Sequence, residues 1–256
     1  MTIPSFALDG RIAVVTGAGS GLGTASAMAL AAYGARVAVV DIDADAARVV
    51  ADRIGANARA FACDIADEQQ VAESVARIAE TMGQVTVLHN NAAIHMGYGR
   101  GDVQTHAMDS QVWLKMIAVN LNGTFFMTKH ILPHMLAAKK GSIINTASLA
   151  GAILGSSNTA YTATKGAVAG YTKALVISYA GSGIRANTIC PGFVATPMSQ
   201  PVLDNPEDLQ RYASDVPAGR TGVPDDVGGL VVFLASDASS YVNGAQITLD
   251  GGISLR

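Results

Sequence analysis

The chain has 256 residues, a length that suits one α/β domain or two small ones, with 50% hydrophobic and only 14% charged residues. Average domains carry about 25% charged residues, so this composition indicates a large core and surface shared between subunits. The net charge of -3 gives no reason to expect nucleic acid or an acidic membrane as a partner.

The two cysteines and the amino-terminal residues indicate the cellular compartment in which we expect the protein. Cys63 and Cys190 are far apart in sequence, which favours a reducing compartment over a disulfide scaffold. Residues 1–10 lack the basic segment that begins a secretory signal peptide. The apolar stretch 12–35 is interrupted by five glycines, which argues against a membrane span. We therefore expect a soluble, cytoplasmic protein.

Strands and helices are predicted to alternate along the whole chain. The predicted strands are 11–16, 36–41, 59–63, 85–89, 142–147, 184–190 and 245–249, and the predicted helices are 24–33, 43–54, 68–82, 110–138, 160–180 and 224–236. This order, without linker or repeat, predicts a single doubly wound α/β domain over 1–256, with a seven-stranded parallel sheet flanked by helices. The stretch 193–220, which contains four prolines, is predicted to be a substrate lid over the carboxyl edge of the sheet.

A glycine-rich turn follows the first predicted strand. From Thr16 to Gly23 it reads Thr-Gly-x-x-x-Gly-x-Gly, and Leu22 stands where a strict Gly-x-Gly-x-x-Gly pattern requires its third glycine. Glycines admit close approach of the backbone to a ligand, and the helix behind them presents a terminus that favours phosphate. The turn therefore indicates a dinucleotide site.

Asp41 ends the second predicted strand, twenty residues after Gly21. A carboxylate at this place can accept hydrogen bonds from an adenosine ribose, although a strand-end turn residue is the alternative. It would repel a 2′-phosphate, and its neighbours Ser20 and Ile42 carry no charge to compensate. The sequence therefore favours NAD over NADP.

Later strands end on further candidate cofactor contacts. Asp64 and Ile65 follow the third predicted strand, where they could contact an adenine ring, although Asp64 or Asp67 could instead only cap the next helix. Asn91 and Ala92 leave the fourth strand and suit close packing on a cofactor.

The long helical stretch 110–138 contains two polar features. Asn120 lies among apolar residues, so we expect it to be buried and hydrogen-bonded. His130 and His134 have the spacing of a metal pair, but Pro133 lies between them and no glutamate follows His130. No metal site is predicted.

Tyr161 and Lys165 lie four residues apart and share one face of the predicted helix 160–180. A lysine cation favours the phenolate, so it is expected to lower the tyrosine pKa from about 10 toward neutrality. Ser148 follows the fifth strand and could face the same point from the sheet. Tyr-x-x-x-Lys also occurs by chance in many helices, so other residues of the chain must show whether this pair is catalytic.

Taken together, these stretches resemble the short-chain dehydrogenase/reductase family over essentially the whole length. The matching positions are 16–23, Asp64, Asn90, Asn91, Ala92, Asn120, Ser148, Tyr161, Lys165, Pro191, Gly192 and Thr196. Ala93 departs from the pattern, since the family usually has glycine there, and we expect only a slight packing change. The resemblance implies a Rossmann fold.

The resemblance also implies roles for individual residues. Tyr161 would be the general acid/base, Lys165 would bind the nicotinamide ribose and lower the tyrosine pKa, and Ser148 would hydrogen-bond the substrate oxygen. Asn120 would hold a water in a proton relay to Lys165, and Thr196 would hold the nicotinamide carboxamide. The implied cofactor contacts are Gly17, Ser20, Gly21, Leu22, Gly23, Asp41, Ile42, Asp64, Ile65, Asn91, Ala92, Tyr161, Lys165, Pro191, Gly192, Val194 and Thr196.

The leading hypothesis is an NAD-dependent oxidoreductase that interconverts a secondary alcohol and its ketone. An NADP-dependent ketoacyl-type carbonyl reductase is disfavoured by Asp41. A hydrolase using Ser148 would lack both a Gly-x-Ser-x-Gly elbow and any later histidine. A non-catalytic NAD-binding sensor would be expected to have lost Tyr161 or Lys165. The family implies a homotetramer, with a homodimer as the alternative.

The candidate substrate-lining residues are mostly apolar, which favours a compact apolar or alicyclic alcohol over a long polar sugar. They are Leu149, Ala150, Ile153, Leu154, His95, Met96, Tyr98, Val194, Met198, Val202, Leu203 and Tyr212. The stretch 90–94 loosely resembles family members that oxidise cyclic diols. The same residues could simply pack the lid.

Overall fold

Seven parallel strands form one sheet in the order β3-β2-β1-β4-β5-β6-β7 in a computed structural model that describes residues 5–96 and 104–256. The strands are β1 Ile12–Thr16, β2 Arg36–Asp41, β3 Ala58–Ala62, β4 Val87–Asn90, β5 Gly141–Thr146, β6 Ile184–Pro191 and β7 Gln246–Leu249. Every pairing between neighbours is parallel. The predicted seven-stranded parallel sheet is therefore confirmed.

Helices connect the strands and flank the sheet. They are α1 Gly21–Ala32, α2 Ala44–Ile54, α3 Glu68–Met82, α4 Ser110–Met116, α5 Gly123–Ala138, α6 Leu149–Ala152, α7 Thr159–Ser178, α8 Gln200–Leu203, α9 Pro206–Asp215 and α10 Asp225–Ala235. A π-helical segment, Ile117–Asn122, joins α4 to α5. No helix in the described part of the chain has both the length and the apolar content needed to cross a membrane.

Two apolar cores lie on opposite faces of the sheet, because successive strand residues point to opposite sides. Val14 belongs to the core formed with α3, α5 and α7, whereas the next residue, Val15, belongs to the core formed with α1, α2 and α10. Helices cover both faces, so the central strands are apolar in continuous runs. This explains why the strands could be predicted from short β-branched stretches.

The order of the strands fixes where a ligand can bind. β1 pairs with β2 on one side and with β4 on the other, so the connections from these neighbours leave in opposite directions. A crevice opens at such a point outside the carboxyl ends of the strands. The glycine-rich turn and the segment after β4 meet there.

Helix capping differs between the first helix and its neighbours. Asp43 caps α2 through the amides of Asp45 and Ala46, and the Asp67 carboxylate caps α3 in the same way. Asp67, rather than Asp64, is therefore the cap of the third helix. Among the described side chains none caps α1, whose N-cap residue is Ser20, so its first-turn amides remain directed at the crevice.

The segment 193–220 folds back over the carboxyl edge of the sheet. Phe193, just after β6, stacks on Tyr212 of α9 with ring centroids 4.7 Å apart and planes 14° apart. Val194 forms a parallel bridge with Gly222, which ties the two ends of the segment together.

Candidate active site

A cavity of about 720 Å³ lies at the carboxyl edge of the sheet. The residues predicted as cofactor or catalytic positions that line it are Gly17, Ser20, Gly21, Leu22, Asp41, Ile42, Asp64, Ile65, Asn91, Ala92, Ser148, Tyr161, Lys165, Pro191, Gly192, Val194 and Thr196. Gly23 and Asn120 do not line it. Gly23 instead packs behind the turn, where a Cβ would collide with the Gly17 carbonyl.

The predicted substrate positions divide into two groups. Those that line the cavity are His95, Leu149, Ala150, Leu154, Val194, Met198 and Tyr212, whereas Met96, Ile153, Val202 and Leu203 do not. Met96 and Ile153 are each 42% exposed, whereas the Val202 side chain, in α8, is buried. Tyr98 lies outside the described residues. The sequence predicted which segments approach the cavity but not the direction of each side chain.

Several lining residues were missed by sequence reasoning. Phe193 directly follows Pro191-Gly192, a signal that could have been used. Ser156 and Asn158 come from the turn before α7, and Ile253 comes from the carboxyl terminus. Ile253 has no local signal, because β7 brings it to the site from the end of the chain.

Tyr161, Lys165 and Ser148 line the same cavity. Asn158 caps α7 by accepting a hydrogen bond from the Tyr161 amide at 3.1 Å, which places Tyr161 in the first helical turn. The Ser148 hydroxyl lies close enough to the Tyr161 side chain to act on its pKa in the lowering direction. Lys165 follows one turn later, with its Nζ 5.6 Å from the Tyr161 ring centroid. The three predicted groups are therefore brought together.

Burial dominates the acid–base properties of this group. It raises the pKa of Tyr161 to about 12, while the hydrogen bond from Ser148 acts in the lowering direction. Burial also lowers the pKa of Lys165 to about 8, and the Lys165 ammonium donates a hydrogen bond to the Thr146 carbonyl at 2.7 Å. The direction expected from the sequence, a tyrosine pKa lowered by Lys165, is not found in this geometry.

Asn120 holds the chain just after β4. Its Oδ1 accepts from the Ile94 amide at 2.8 Å, and its Nδ2 donates to the Ile94 carbonyl at 3.0 Å and to the Thr164 hydroxyl at 3.2 Å. The side chain is 1% exposed, so the predicted burial with hydrogen bonds is confirmed. Asn120 lies in the π-helical segment, a local widening often found at functional sites.

The glycine-rich turn suits a dinucleotide pyrophosphate. Gly17 and Gly21 have φ values of +61° and +51°, a region that favours glycine. A Cβ on Gly17 would lie 2.8 Å from the Ala92 Cα, and one on Gly21 would point at Thr196 across the cavity, 3.4 Å away. Together with the uncapped amides of α1, the turn offers a close-fitting cradle for phosphate oxygens.

Asp41 lines the cavity beside the glycine-rich turn. Its Oδ2 accepts from the Gly19 amide at 2.8 Å, and its Oδ1 accepts from the Asp43 amide at 3.0 Å. These bonds fix the carboxylate at the rim of the cavity. The donors and acceptors present therefore fit a nicotinamide dinucleotide.

His89, a buried histidine, shares a hydrogen-bonding partner with Lys165. His89 Nε2 lies 2.8 Å from the Thr146 hydroxyl, and the carbonyl of the same threonine accepts from Lys165. His89 has no solvent exposure. Burial, together with the nearby Lys165 ammonium, lowers the pKa of His89 from 6.5 to about 3.

This histidine should make the protein sensitive to acid. Its pKa is lower in the folded than in the unfolded chain, so its contribution to stability is complete above pH 6.5 and is lost as pH falls toward 3. The free energy of unfolding should fall by about 1.4 kcal/mol per pH unit in that window on account of this group. Urea unfolding between pH 7 and pH 4.5 should be less steeply pH-dependent for His89→Gln than for the parent protein.

The exposed His106→Gln substitution is the control, and it should leave the pH dependence unchanged. Equal pH dependence in the parent protein and His89→Gln would contradict the assignment of acid sensitivity to His89.

His130 has a structural partner and no place in the cavity. Its Nε2 lies 3.3 Å from Glu68 Oε1, which also accepts from Lys129 at 2.6 Å. His130 is thus part of the contact between α3 and α5, and neither His130 nor His134 lines the cavity.

Comparison with known proteins gives a consistent result. A family model described as enoyl-(acyl carrier protein) reductase matches residues 17–254. The chain is 37% identical to D-threitol dehydrogenase of Mycolicibacterium smegmatis over 98% of this chain and 95% of that protein. It is 40% identical to 2-(R)-hydroxypropyl-CoM dehydrogenase of Xanthobacter autotrophicus over 73% of this chain and 74% of that protein.

The fold is shared with solved structures of similar sequence. A gluconate 5-dehydrogenase from Burkholderia cenocepacia, solved in complex with NADP and tartrate, superposes with a TM-score of 0.92 at 33% identity over 99% of both chains. The likeness therefore extends over the strands, the glycine-rich turn and the segment 193–220 alike.

Proposed function

The chain belongs to the short-chain dehydrogenase/reductase family, and on that premise we propose that it is an NAD-dependent enzyme that interconverts a secondary alcohol and its ketone. The observation that carries this proposal is that Ser148, Tyr161 and Lys165 line one cavity, with the Lys165 Nζ 5.6 Å from the Tyr161 ring centroid. A non-catalytic sensor would have no need of this group.

The residues divide the chemistry between them. Bound nicotinamide supplies the hydride acceptor for alcohol oxidation and the hydride donor for ketone reduction. The hydroxyl groups of Ser148 and Tyr161 hold the reacting oxygen from two sides. Tyr161 gives a proton to that oxygen in reduction and takes one from it in oxidation.

The raised pKa of Tyr161 favours the protonated, donating form. A cation near the ring, here the Lys165 Nζ at 5.6 Å from its centroid, acts in the opposite direction, toward the phenolate that oxidation requires, but burial outweighs it in this geometry.

The proposed cofactor is NAD, and the argument is electrostatic. The Asp41 carboxylate is fixed at the cavity rim by the amides of Gly19 and Asp43. A ribose with free hydroxyls can donate to it, whereas a 2′-phosphate meets a like charge. The gluconate 5-dehydrogenase with a similar fold holds NADP, so family membership alone does not choose between the two cofactors.

Asp41→Asn should shift cofactor preference. Asparagine keeps an oxygen for the Gly19 amide and removes the charge that repels a 2′-phosphate. We expect the ratio of Kd for NADPH to Kd for NADH to fall about fivefold or more, since a close like charge costs on the order of 1 kcal/mol or more. Fluorescence titration with each reduced cofactor measures both constants.

The matched control is Asp45→Asn in the first turn of α2, which lies outside the cavity lining. An unchanged ratio in Asp41→Asn, with both cofactors still bound, would remove the main support for NAD.

The proposed substrate is a compact, largely apolar secondary alcohol, with alicyclic alcohols and cyclic diols as the leading class. Leu149, Leu154, Met198 and the stacked pair Phe193 and Tyr212 supply an apolar wall. The names of two relatives, threitol and gluconate dehydrogenases, denote open-chain polyhydroxylated substrates. Open-chain polyols therefore form the second arm of any substrate screen.

A panel of secondary alcohols, cyclic diols and open-chain polyols tests the proposal. The purified protein is mixed with each compound and with NAD or NADP, and formation of reduced cofactor is followed by absorbance. Turnover of a secondary alcohol supports the proposal. Tight cofactor binding without turnover of any compound would favour the sensor. A further assay mixes the protein with a ketoacyl thioester and NADPH, and activity in that assay alone would favour the carbonyl reductase.

We further propose that residues 1–256 form one catalytic domain, that 193–220 acts as its lid, and that the protein assembles as a homotetramer. An exposed ring on α5 supports assembly: Phe125 is 44% exposed and contacts the partly buried rings of Phe126 and Tyr171. Light scattering of the purified protein gives the mass of the assembly, and a monomeric mass would overturn that part.

A further inference from the structure

We propose that His95 contacts the substrate and selects alcohols that carry a second oxygen on the carbon next to the reacting one. This inference rests on the proposed alcohol dehydrogenase function. It assigns a specificity-determining role to a residue outside the group formed by Ser148, Tyr161 and Lys165.

The backbone that carries His95 is held in place. Asn120 binds both the amide and the carbonyl of the preceding residue, Ile94, at 2.8 and 3.0 Å. Asn120 is buried and also bonded to Thr164 of α7, the helix that carries Tyr161. The position of His95 relative to Tyr161 is therefore set by a hydrogen-bonded bridge between the two segments.

The His95 imidazole lies directly against the ring of Tyr161. The two ring centroids are 4.4 Å apart, with the planes tilted by 48°. Both side chains line the same cavity. A substrate whose oxygen is bonded to the Tyr161 hydroxyl would share this cavity with the imidazole, and we place its neighbouring carbon beside that ring.

The imidazole has the chemistry to recognise oxygen at that carbon. A neutral histidine carries one N–H donor and one nitrogen acceptor, so it can pair with a hydroxyl or with a carbonyl. Much of the surrounding wall is apolar, from Leu149, Leu154 and Met198. In such a setting a hydrogen bond to one substituent discriminates more sharply than a change of a methylene.

The test compares two substrates that differ only in the second oxygen. The best secondary alcohol from the panel is paired with its vicinal-diol form, for example cyclohexanol with cyclohexane-1,2-diol or 2-butanol with 2,3-butanediol. The ratio of kcat/KM for diol to mono-alcohol is measured for the parent protein, His95→Phe and His95→Asn. Phenylalanine keeps an aromatic contact with Tyr161, whereas asparagine keeps a donor and an acceptor.

We expect the parent protein to prefer the diol about tenfold or more, the equivalent of one good hydrogen bond. In His95→Phe this preference should be lost because kcat/KM falls for the diol alone. In His95→Asn part of the preference should return. Titration with NADH should give the same Kd for all three proteins, which checks that the fold and cofactor site are intact.

The inference is overturned if the parent protein shows no diol preference, or if His95→Phe retains the preference. It is also overturned if His95→Phe lowers kcat/KM equally for the diol and the mono-alcohol, because His95 would then act only by positioning Tyr161. Absence of turnover with every alcohol and both cofactors is a different result: it overturns the proposed function, and this inference with it.

Discussion

Tyr161→Phe is expected to lower kcat about a thousandfold, because proton transfer by a positioned side chain contributes on the order of 10²–10⁴ to rate. Phenylalanine fills the same space between Ser148 and Lys165 and removes only the hydroxyl that exchanges the proton. Turnover of the best alcohol from the panel measures the loss. NADH should still bind, since Asp41 and the glycine-rich turn are untouched.

Tyr33→Phe is a suitable control, because Tyr33 is half-exposed at the end of α1 and lies outside the cavity lining. It should leave kcat unchanged. If Tyr161→Phe retained more than about a tenth of the parent rate, another group would have to supply the proton, and the role given to Tyr161 would be wrong.

Gly23→Ala is expected to damage both the fold and cofactor binding. Gly23 lies in the first turn of α1, where an added Cβ would collide with the Gly17 carbonyl and lie 2.8 Å from the Ala18 Cα. The helix and the turn would have to separate, and forced overpacking of this kind costs about 1–3 kcal/mol. The same displacement would move the uncapped amides of α1, so we expect NADH affinity to fall at least about tenfold.

Gly229→Ala provides the matched comparison. Gly229 is an exposed glycine inside α10, with no heavy atom of the described residues within 4 Å of a built Cβ. Alanine should stabilise this helix by about 0.5–1 kcal/mol. Urea unfolding and NADH titration of both variants test the pair. Parent-like stability and affinity in Gly23→Ala would show that the turn can move, contrary to the tight packing described here.

Much of the fold could be predicted from the sequence because each element carries its own local pattern. Buried parallel strands are continuously apolar, and β2 and α3 were placed at their observed bounds. α1 begins at Gly21, three residues before the predicted start, because glycines usually indicate a loop. Here they form the first helical turn, where a side chain would block the approach to phosphate.

The candidate site could be predicted only in part, because its interactions join distant segments. Tyr161 and Lys165 share a helix face, so their proximity follows from spacing alone. The bonds from Asn120 to Ile94 and the contact between His95 and Tyr161 have no local signal, since they depend on how the loop after β4 packs on α7. The predicted direction of the Tyr161 pKa shift was wrong, because the effect of burial on this pKa depends on packing that the sequence does not show.

The pairing of β1 with β4 has a consequence for the folding kinetics of the chain. β1, β2 and β3 can associate through short crossovers, whereas pairing Ala13 with Val87 must close a long loop, which is slow. The glycine-rich turn and Asp41 follow β1 and β2, on one side of this strand pairing. Ser148, Tyr161 and Lys165 follow β5, on the other side. A ligand that spans the cavity therefore bridges this long-range contact, so it should slow unfolding and delay cleavage by proteases that attack the opened chain.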